Sequence, residues 1–245
     1  MKISGKRMVI TGGTSGIGYA LAERSAASGA DVLICGRDGE RVADVAARLG
    51  VHGTACDVGA EGQRPILLEA ADEHLGGVDI LVHNAGVQRE LDLTGCVGDN
   101  DICRELEVNL AGPIRLTALA VPQLLAAAST SGAALVFVTS VLALAPKASA
   151  PVYCPSKAGL RSFAKVMRAQ LGPLGVRVLE VMPPVVDTAM TAGRDETKIA
   201  PTVVAGAILE GIEKDRNEVL VGKARLAAGL LRLAPGLAER MISGT

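Results

Sequence analysis

Residues 11–18 read Thr11-Gly12-Gly13-Thr14-Ser15-Gly16-Ile17-Gly18 and join a predicted buried strand to a predicted amphipathic helix. The glycines at positions 12, 16 and 18 follow the spacing Gly-x-x-x-Gly-x-Gly. Glycine lets the backbone turn sharply and approach a pyrophosphate, and the helix N-terminus offers free N–H groups and a favourable dipole. The flanking strand and helix therefore favour a dinucleotide-binding loop over the alternative, a tight turn that holds no ligand.

The rest of the chain repeats this order of strand and helix. Several strand candidates are continuous apolar runs, as expected for strands buried on both faces. Strands are predicted at 7–11, 31–35, 52–56, 79–83, 133–139, 176–182 and 218–221, and helices at 17–28, 39–49, 64–75, 100–128, 151–171 and 201–214. The alternation predicts an α/β protein, a single-domain Rossmann fold with a doubly wound parallel sheet of about seven strands and helices on both faces. Gly29, Gly50 and Gly172 are predicted to end helices.

The chain shows no internal repeat, low-complexity segment or linker, so residues 1–222 are predicted to form one nucleotide-binding domain with its own active site. In the tail, residues 223–245, leucines alternate irregularly with arginines. We expect a helix packed on the domain or on a partner subunit. A helix lying on a membrane surface is the alternative, which Pro235 and Gly236 disfavour because they interrupt the pattern.

Composition argues against several classes of function. Lysine plus arginine (25) nearly balances aspartate plus glutamate (26), and only 2% of residues are aromatic, so no nucleic-acid partner is predicted. The five cysteines are odd in number and form no C-x-x-C pair, so neither a disulfide framework nor a metal site is expected, and the predicted location is cytoplasmic. No uninterrupted run of about 18 apolar residues predicts a membrane span.

A second motif, Tyr153-Cys154-Pro155-Ser156-Lys157, places a phenol and an ammonium four residues apart on one face of a predicted helix. The ammonium can favour the phenolate there and make the tyrosine a usable proton donor and acceptor. The pattern alone is common on helix surfaces. Ser140, however, stands thirteen residues earlier at the end of a predicted strand, where open α/β sheets place their sites.

Together these motifs resemble the short-chain dehydrogenase/reductase family over about residues 5–222. The resemblance implies that Ser140 hydrogen-bonds the substrate oxygen and that Tyr153 is the general acid and base. It implies that Lys157 binds the nicotinamide ribose and lowers the pKa of the tyrosine. Asn109 is implied to hold a relay water for Lys157. These four residues are the predicted catalytic set.

The resemblance also implies where the cofactor binds. The predicted cofactor-binding residues are Gly12, Thr14, Ser15, Gly16, Ile17, Gly18, Arg37, Asp57, Val58, Asn84, Ala85, Gly86, Tyr153, Lys157, Pro183, Val186 and Thr188. NAD sites of this fold usually carry an acid at the end of the second strand, but Gly36 stands there and Arg37 follows. A guanidinium can bind a 2′-phosphate, so NADP(H) is predicted over NAD(H), and Asp38 is interpreted as the cap of the next helix.

Two prolines depart from the family pattern. Pro184 stands where the family has glycine, and proline fixes φ and removes an N–H, so the loop beside the nicotinamide should be stiffer. Pro155 fits a helix only if the helix starts just upstream of it. This Pro-Pro variant and the run at residues 84–89 are most similar to the DltE-like oxidoreductase branch of the family. His83, where the family often has asparagine, is interpreted as structural.

The substrate side is predicted to be mostly apolar. The expected lining is Val141, Leu142, Leu144, Val185, Val186 and Met190, with Gln88 and Arg89 at the rim. Arg89 could hold an acidic substituent, but a solvated ion pair with Glu90 is the preferred interpretation. Residues 187–200, where the family forms a substrate lid, are few, which suggests an open or small pocket.

The leading hypothesis is an oxidoreductase that transfers a hydride between NADP(H) and a small carbonyl or secondary alcohol substrate. The alternative is an enzyme of the same fold that performs dehydration, cyclisation or isomerisation with bound nucleotide, which only Pro184 supports. A non-catalytic binding protein is disfavoured because the catalytic set is complete. The resemblance further implies a homotetramer or homodimer, formed through helices 100–128 and 151–171.

Overall fold

A computed structural model describes residues 1–95, 97–222, 224, 225 and 229 of the chain. The strands are β1 (Arg7–Thr11), β2 (Asp31–Gly36), β3 (His52–Ala55), β4 (Ile80–His83), β5 (Ala133–Val138), β6 (Val176–Met182) and β7 (Glu218–Leu220). The α-helices are α1 (Gly16–Ala27), α2 (Gly39–Leu49), α3 (Gln63–Leu75), α4 (Asp99–Leu106), α5 (Gly112–Ala128), α6 (Tyr153–Leu171) and α7 (Pro201–Glu213). The strands form one seven-stranded sheet, parallel throughout, in the order β3-β2-β1-β4-β5-β6-β7.

The strand order reverses between β1 and β4. The chain places β2 and β3 to one side of β1 and then returns to add β4 on the other side. At such a reversal the connections leave in opposite directions, and a crevice opens at the carboxyl ends of the two strands. The glycine loop follows β1 and Asn84 follows β4, so both border this crevice.

Helices cover both faces of the sheet, as the sequence predicted. Successive residues of a strand point to opposite faces, and in β1 Met8 and Ile10 join one core while Val9 joins the other. The first core is completed by apolar residues of α1, α2 and α7, and the second by those of α3, α5 and α6. A doubly wound single domain is thereby confirmed.

The helix predicted at 100–128 is interrupted. Helix α4 ends at Leu106, residues Glu107–Ala111 form a π-helical turn, and α5 begins at Gly112. Gly112 permits close packing, because an added Cβ would lie 2.5 Å from the carbonyl oxygen of Val58. Asn109 lies in the π turn, a feature that often marks functional sites. The apolar pattern of the sequence continues through residues 107–111, so it did not predict the π turn.

Helices α2 and α6 end at Gly50 and Gly172, as the sequence predicted, but the two glycines have different backbone conformations. Gly50 ends α2 in the left-handed conformation with a φ of 64°. Gly172 keeps a right-handed φ of −57° and starts a 3₁₀ turn, and Gly175, with a φ of 85°, reverses the chain instead.

One helical stretch, Asp99–Ala128, is long and apolar enough by length and composition alone to span a membrane. Its residues Leu116, Ala120 and Leu124 are fully buried against the sheet, which is the arrangement of a core helix. The predicted tail helix, residues 223–245, lies outside the described residues except for 224, 225 and 229.

Candidate active site

A cavity of about 390 Å³ opens at the carboxyl ends of the central strands. It brings together most of the residues that the sequence predicted for the cofactor, the chemistry and the substrate. These are Gly12, Thr14, Ser15, Gly16, Ile17, Arg37, Asp57, Val58, Asn84, Ala85, Gly86, Gln88, Ser140, Val141, Leu142, Tyr153, Lys157, Pro183, Val185, Val186, Thr188 and Met190. Gly18 and Asn109 are buried behind its wall. Leu144 and Arg89 do not line it, which corrects the substrate prediction for both.

The glycine loop packs so tightly that side chains could not replace its hydrogens. A Cβ on Gly18 would lie 2.2 Å from the carbonyl oxygen of Gly12, and a Cβ on Gly16 would lie 2.8 Å from Thr188 Cγ2. The Asn84 side chain holds the loop from the neighbouring strand, donating from Nδ2 to the carbonyl oxygens of Thr11 (2.9 Å) and Gly12 (3.1 Å). The loop is therefore a fixed backbone cradle at the N-terminus of α1, a geometry suited to phosphate.

The end of β2 presents a cation and no acid to the cavity. Arg37 lines the cavity and is exposed. Asp38 is turned into the helix, where its side chain caps α2 by accepting from the backbone N–H of Arg41 at 3.1 Å, as the sequence predicted. At Gly36 a Cβ would lie 3.0 Å from Thr14 Cγ2, so even a small side chain would crowd the loop.

Asp57 lines the cavity beside Val58 but is held by an ion pair that the sequence did not reveal. Arg104 Nη2, from α4, lies 2.7 Å from Asp57 Oδ2, and the backbone N–H of Gly59 donates to Oδ1 at 2.9 Å. Arg104 also lines the cavity. It sits five residues before Asn109, and no local pattern in the sequence links it to an aspartate more than forty residues earlier.

Lys157 and Asn109 meet at Gly86. The Lys157 ammonium is buried and donates to the carbonyl oxygen of Val138 at 3.0 Å. Asn109 binds the backbone of Val87 in both directions, accepting at 2.9 Å and donating at 2.8 Å. A Cβ on Gly86 would lie 3.3 Å from Asn109 Oδ1 and 3.5 Å from Lys157 Nζ, so glycine lets both groups approach the loop after β4.

Ser156, which the sequence analysis passed over, links these groups to α6. Its hydroxyl is buried, donates to the carbonyl oxygen of Tyr153 at 2.7 Å and lies 3.2 Å from Asn109 Nδ2, which donates to it. Helix α6 begins at Tyr153, so the missing N–H of Pro155 falls in the first turn, as the sequence required. Tyr153 and Lys157 thus project from one rigid helix start.

The Tyr153 phenol is buried, and burial favours its neutral form. Burial raises the pKa of Tyr153 to about 12, and the hydroxyl of Ser140 only partly counters that rise. The Lys157 ammonium lies 5.7 Å from the centroid of the Tyr153 ring and donates to the carbonyl oxygen of Val138. Burial also lowers the pKa of Lys157 to about 8. With these pKa values the Tyr153 hydroxyl keeps its proton at neutral pH and Lys157 is mostly in the ammonium form.

The substrate side is more polar than predicted. Arg194 and Glu196, from the short segment after β6, line the cavity together with the predicted apolar side chains. Arg194 Nη1 lies 3.2 Å from Gln88 Oε1, and Arg194 Nε lies 3.5 Å from Glu90 Oε1. Arg89 pairs with Asp101 rather than with Glu90, which corrects the predicted partner. The sequence did not predict these contacts, because the residues that form them are far apart along the chain.

His83 is structural, as interpreted from the sequence. Its Nε2 lies 2.8 Å from Thr117 Oγ1, its ring stacks on Phe137, and burial lowers its pKa to about 3. Within the described residues no group of three or more potential ligands could hold a metal ion.

Comparison with known proteins agrees with this site. The family model described as short chain dehydrogenase matches residues 6–199. A curated protein described as "Uncharacterized oxidoreductase DltE", from Bacillus subtilis (strain 168), is 36% identical over 230 residues, which are 89% of this chain and 89% of that protein.

Solved structures of the same fold include enzymes with bound nucleotide. A short chain dehydrogenase from Burkholderia cenocepacia J2315, in complex with NADP, superposes with a TM-score of 0.87 at 28% identity and covers 100% of both chains. A 3-ketoacyl-(acyl-carrier-protein) reductase from Brucella melitensis, complexed with NADH, gives a TM-score of 0.84 at 26% identity and covers 89% of this chain and 96% of that one. The fold, the site and these matches show that the chain belongs to the short-chain dehydrogenase/reductase family of oxidoreductases, near DltE.

Proposed function

We propose that the protein is an NADP(H)-dependent carbonyl reductase that also runs in reverse as an alcohol dehydrogenase. The observation that carries this proposal is the shared cavity of the glycine loop after β1 and the Ser140–Tyr153–Lys157 group. A backbone cradle for a pyrophosphate and a buried phenol beside an ammonium are the two parts that hydride transfer with proton transfer requires.

The nicotinamide would supply the hydride, and the protein would supply placement, electrostatics and the proton. Ser140 lies two residues after the end of β5 and lines the cavity, where its hydroxyl can donate to a substrate oxygen. Tyr153, whose pKa of about 12 keeps it protonated at neutral pH, then gives its proton to that oxygen as the carbonyl is reduced. Lys157 restores the charge balance and can bind the ribose, because its ammonium lines the same wall.

The preference for NADP(H) over NAD(H) rests on the end of β2. Arg37 is exposed at the cavity and Asp38 is occupied as a helix cap, so a 2′-phosphate would meet a cation and no free acid.

The substrate is proposed to be a ketone or secondary alcohol on an apolar body with a polar end. Leu142, Val185 and Met190 offer apolar surface, whereas Arg194 and Gln88 offer hydrogen-bond donors at the other side of the cavity. Arg194 is partly neutralised by Glu90, so a neutral polar group suits this end as well as an anion.

The active form is proposed to be a homodimer or homotetramer in the cytoplasm. Helices α5 and α6 leave apolar side chains in solvent, with Ile114 exposed by 36%, Leu119 by 45% and Val166 by 47%. Pairing these helices with a second copy would bury this surface. Mass photometry should give a mass at least twice 25.0 kDa, and a monomer would reject the assembly.

The test of the reaction is NADPH oxidation, followed at its absorbance, with a panel of small ketones and with the matching alcohols and NADP⁺ in reverse. We expect turnover in both directions, faster with NADPH than with NADH. Substrate conversion that leaves the nucleotide unchanged would instead support dehydration, cyclisation or isomerisation, and failure to bind nucleotide would reject the proposal.

A further inference from the structure

Arg194 is a cation of the cavity that takes no part in the transfer of the hydride or the proton. It stands in the segment between β6 and α7, lines the cavity together with Ser140 and Tyr153, and has a side chain that is only 19% exposed. Among the residues that the structure describes, Gln88 is the one hydrogen-bond partner of its guanidinium, which has five N–H donors. Most of these donors therefore have no acceptor in the described part of the chain.

The segment that carries Arg194 is fastened to the rest of the domain at two places. At its base a parallel bridge forms, in which the backbone N–H of Asp187 donates to the carbonyl oxygen of Ile199 at 2.9 Å. Farther along, Glu196 forms an ion pair at 2.6 Å with Lys147, which lies in the loop after β5. These contacts hold Arg194 at the cavity independently of the partners of its own side chain.

Glu90 is a weak counter-ion for Arg194. Arg194 Nε lies 3.5 Å from Glu90 Oε1, whereas charge-assisted hydrogen bonds of this kind are roughly 2.7–2.9 Å long. The Glu90 side chain is 67% exposed, and exposed ion pairs contribute little because water competes for the charges. In the same cavity, Arg104 lies 2.7 Å from Asp57. Glu90 can therefore turn into solvent at little cost, which would leave the charge of Arg194 unmatched.

Gln88 connects Arg194 to the chemical end of the cavity. Arg194 Nη1 lies 3.2 Å from Gln88 Oε1, and Gln88 stands two residues after Gly86. A Cβ on Gly86 would lie 3.5 Å from Lys157 Nζ, so only a short stretch of chain separates the guanidinium from the lysine. Burial raises the pKa of Tyr153, and the positive charge of Arg194 acts against that rise. One small substrate can therefore contact both Tyr153 and Arg194.

We propose that the substrate is a ketone that carries a carboxylate, and that Arg194 binds this carboxylate in place of Glu90. The inference rests on the proposed function for the ketone and adds the charge of the substrate's polar end. While Glu90 holds Arg194, a neutral group suits this end too. A substrate carboxylate can instead accept two parallel hydrogen bonds from the guanidinium, and apolar neighbours such as Leu142 and Met190 exclude the water that would weaken them.

The experiment compares aliphatic methyl ketones that end in a carboxylate with the methyl ester of each. The ester keeps the ketone and the carbon chain but lacks the charge. In wild type we expect kcat/KM with NADPH to be about tenfold or more higher for the acid, mainly through a lower KM. Arg194→Met, which keeps an unbranched side chain, should lower kcat/KM for the acid about 10- to 100-fold and leave the ester within about twofold.

Glu90→Gln should act in the opposite direction on the same ratio. It removes the competing carboxylate, so kcat/KM for the acid should rise about two- to fivefold, the size expected of an exposed ion pair. Arg89→Met is the matched control, because Arg89 belongs to the same loop but pairs with Asp101 and does not line the cavity. Its acid-to-ester ratio should equal that of wild type.

A binding measurement separates this proposal from the proposed reaction. The hydroxy acid that reduction would produce, and its methyl ester, are titrated by calorimetry into protein mixed with NADPH, with which neither can react. Tighter binding of the acid that is lost in Arg194→Glu would support the carboxylate site. Equal binding of acid and ester, or an Arg194→Met variant that keeps the wild-type preference for the acid, would overturn it. Failure of every ketone to oxidise NADPH would reject the proposed function and leave the binding result standing.

Discussion

The nucleotide end and the chemical end of the cavity are built in different ways. At the nucleotide end, the binding surface is made by backbone. The glycine loop leaves no room for side chains, and the Asn84 side chain hydrogen-bonds the loop to the neighbouring strand. At the chemical end, buried side chains from several elements meet: Ser140 from the turn after β5, Tyr153 and Lys157 from α6, and Asn109 from the π turn. The nucleotide end therefore depends on the shape of the backbone, whereas the chemical end depends on the charges and protonation states of buried side chains.

If this division is correct, Tyr153→Phe should remove proton transfer at the chemical end without changing nucleotide binding. Loss of the proton donor should lower kcat/KM for ketone reduction by about 10³-fold, since general acid catalysis contributes roughly 10²–10⁴-fold. The dissociation constant for NADPH should stay within about twofold of wild type, because the phosphate cradle is untouched. Tyr19→Phe, at the only other tyrosine, is the matched control and should behave as wild type. Wild-type turnover in Tyr153→Phe would refute the assignment.

Arg37→Ala should weaken binding of the 2′-phosphate at the nucleotide end without changing the chemical end. Charge-assisted hydrogen bonds to a phosphate contribute about 1.5–3 kcal/mol, so kcat/KM for NADPH should fall roughly 10- to 100-fold. The value for NADH should hardly change, because NADH has no 2′-phosphate. Steady-state kinetics with both nucleotides measures the ratio, and Arg41→Ala, on the exposed side of α2, is the control. An NADH preference in wild type that survives Arg37→Ala would contradict the cofactor assignment.

Gly86 lies where the two ends join, so Gly86→Ala should disturb both. The new Cβ would crowd Asn109 Oδ1 at 3.3 Å and would touch Lys157 Nζ at an ordinary contact distance of 3.5 Å. Overpacking of this kind costs about 1–3 kcal/mol, and we expect kcat to fall about tenfold with a several-fold rise in the KM for NADPH. Gly98→Ala, at an exposed position where the nearest atom is 3.8 Å away, should change neither constant. A change confined to one constant would mean that the two ends are independent at this point.

The sequence could predict the nucleotide end almost completely, because its signals are local. Each of these signals lies within a few consecutive residues: the glycine spacing in residues 12–18, and Arg37 and Asp38 after β2. At the chemical end, the motifs and the family resemblance predicted Ser140, Tyr153, Lys157 and Asn109. Arg104 and Arg194 line the cavity through tertiary packing, so no spacing in the sequence marks them.

The smallest predicted effect concerns His83, on the strand between the two ends. In the folded protein the pKa of His83 is lowered to about 3, whereas an unfolded histidine has a pKa near 6.5. The unfolded state therefore takes up the proton first, and the stabilisation present above pH 6.5 is lost as the pH falls. At pH 5 this loss should be roughly 2 kcal/mol. Urea unfolding at pH 7 and pH 5 should show a smaller difference for His83→Asn than for wild type, and an equal difference would contradict it.

The central claim is that one cavity joins a nucleotide cradle to a proton donor so that a hydride can pass to a carbonyl carbon. The most direct measurement uses NADPH carrying deuterium at both C4 positions, together with the ketone that wild type reduces fastest. Mass spectrometry of the product alcohol should find one deuterium on the former carbonyl carbon, while its hydroxyl proton comes from Tyr153 and exchanges with water. A product without deuterium at that carbon would contradict the claim.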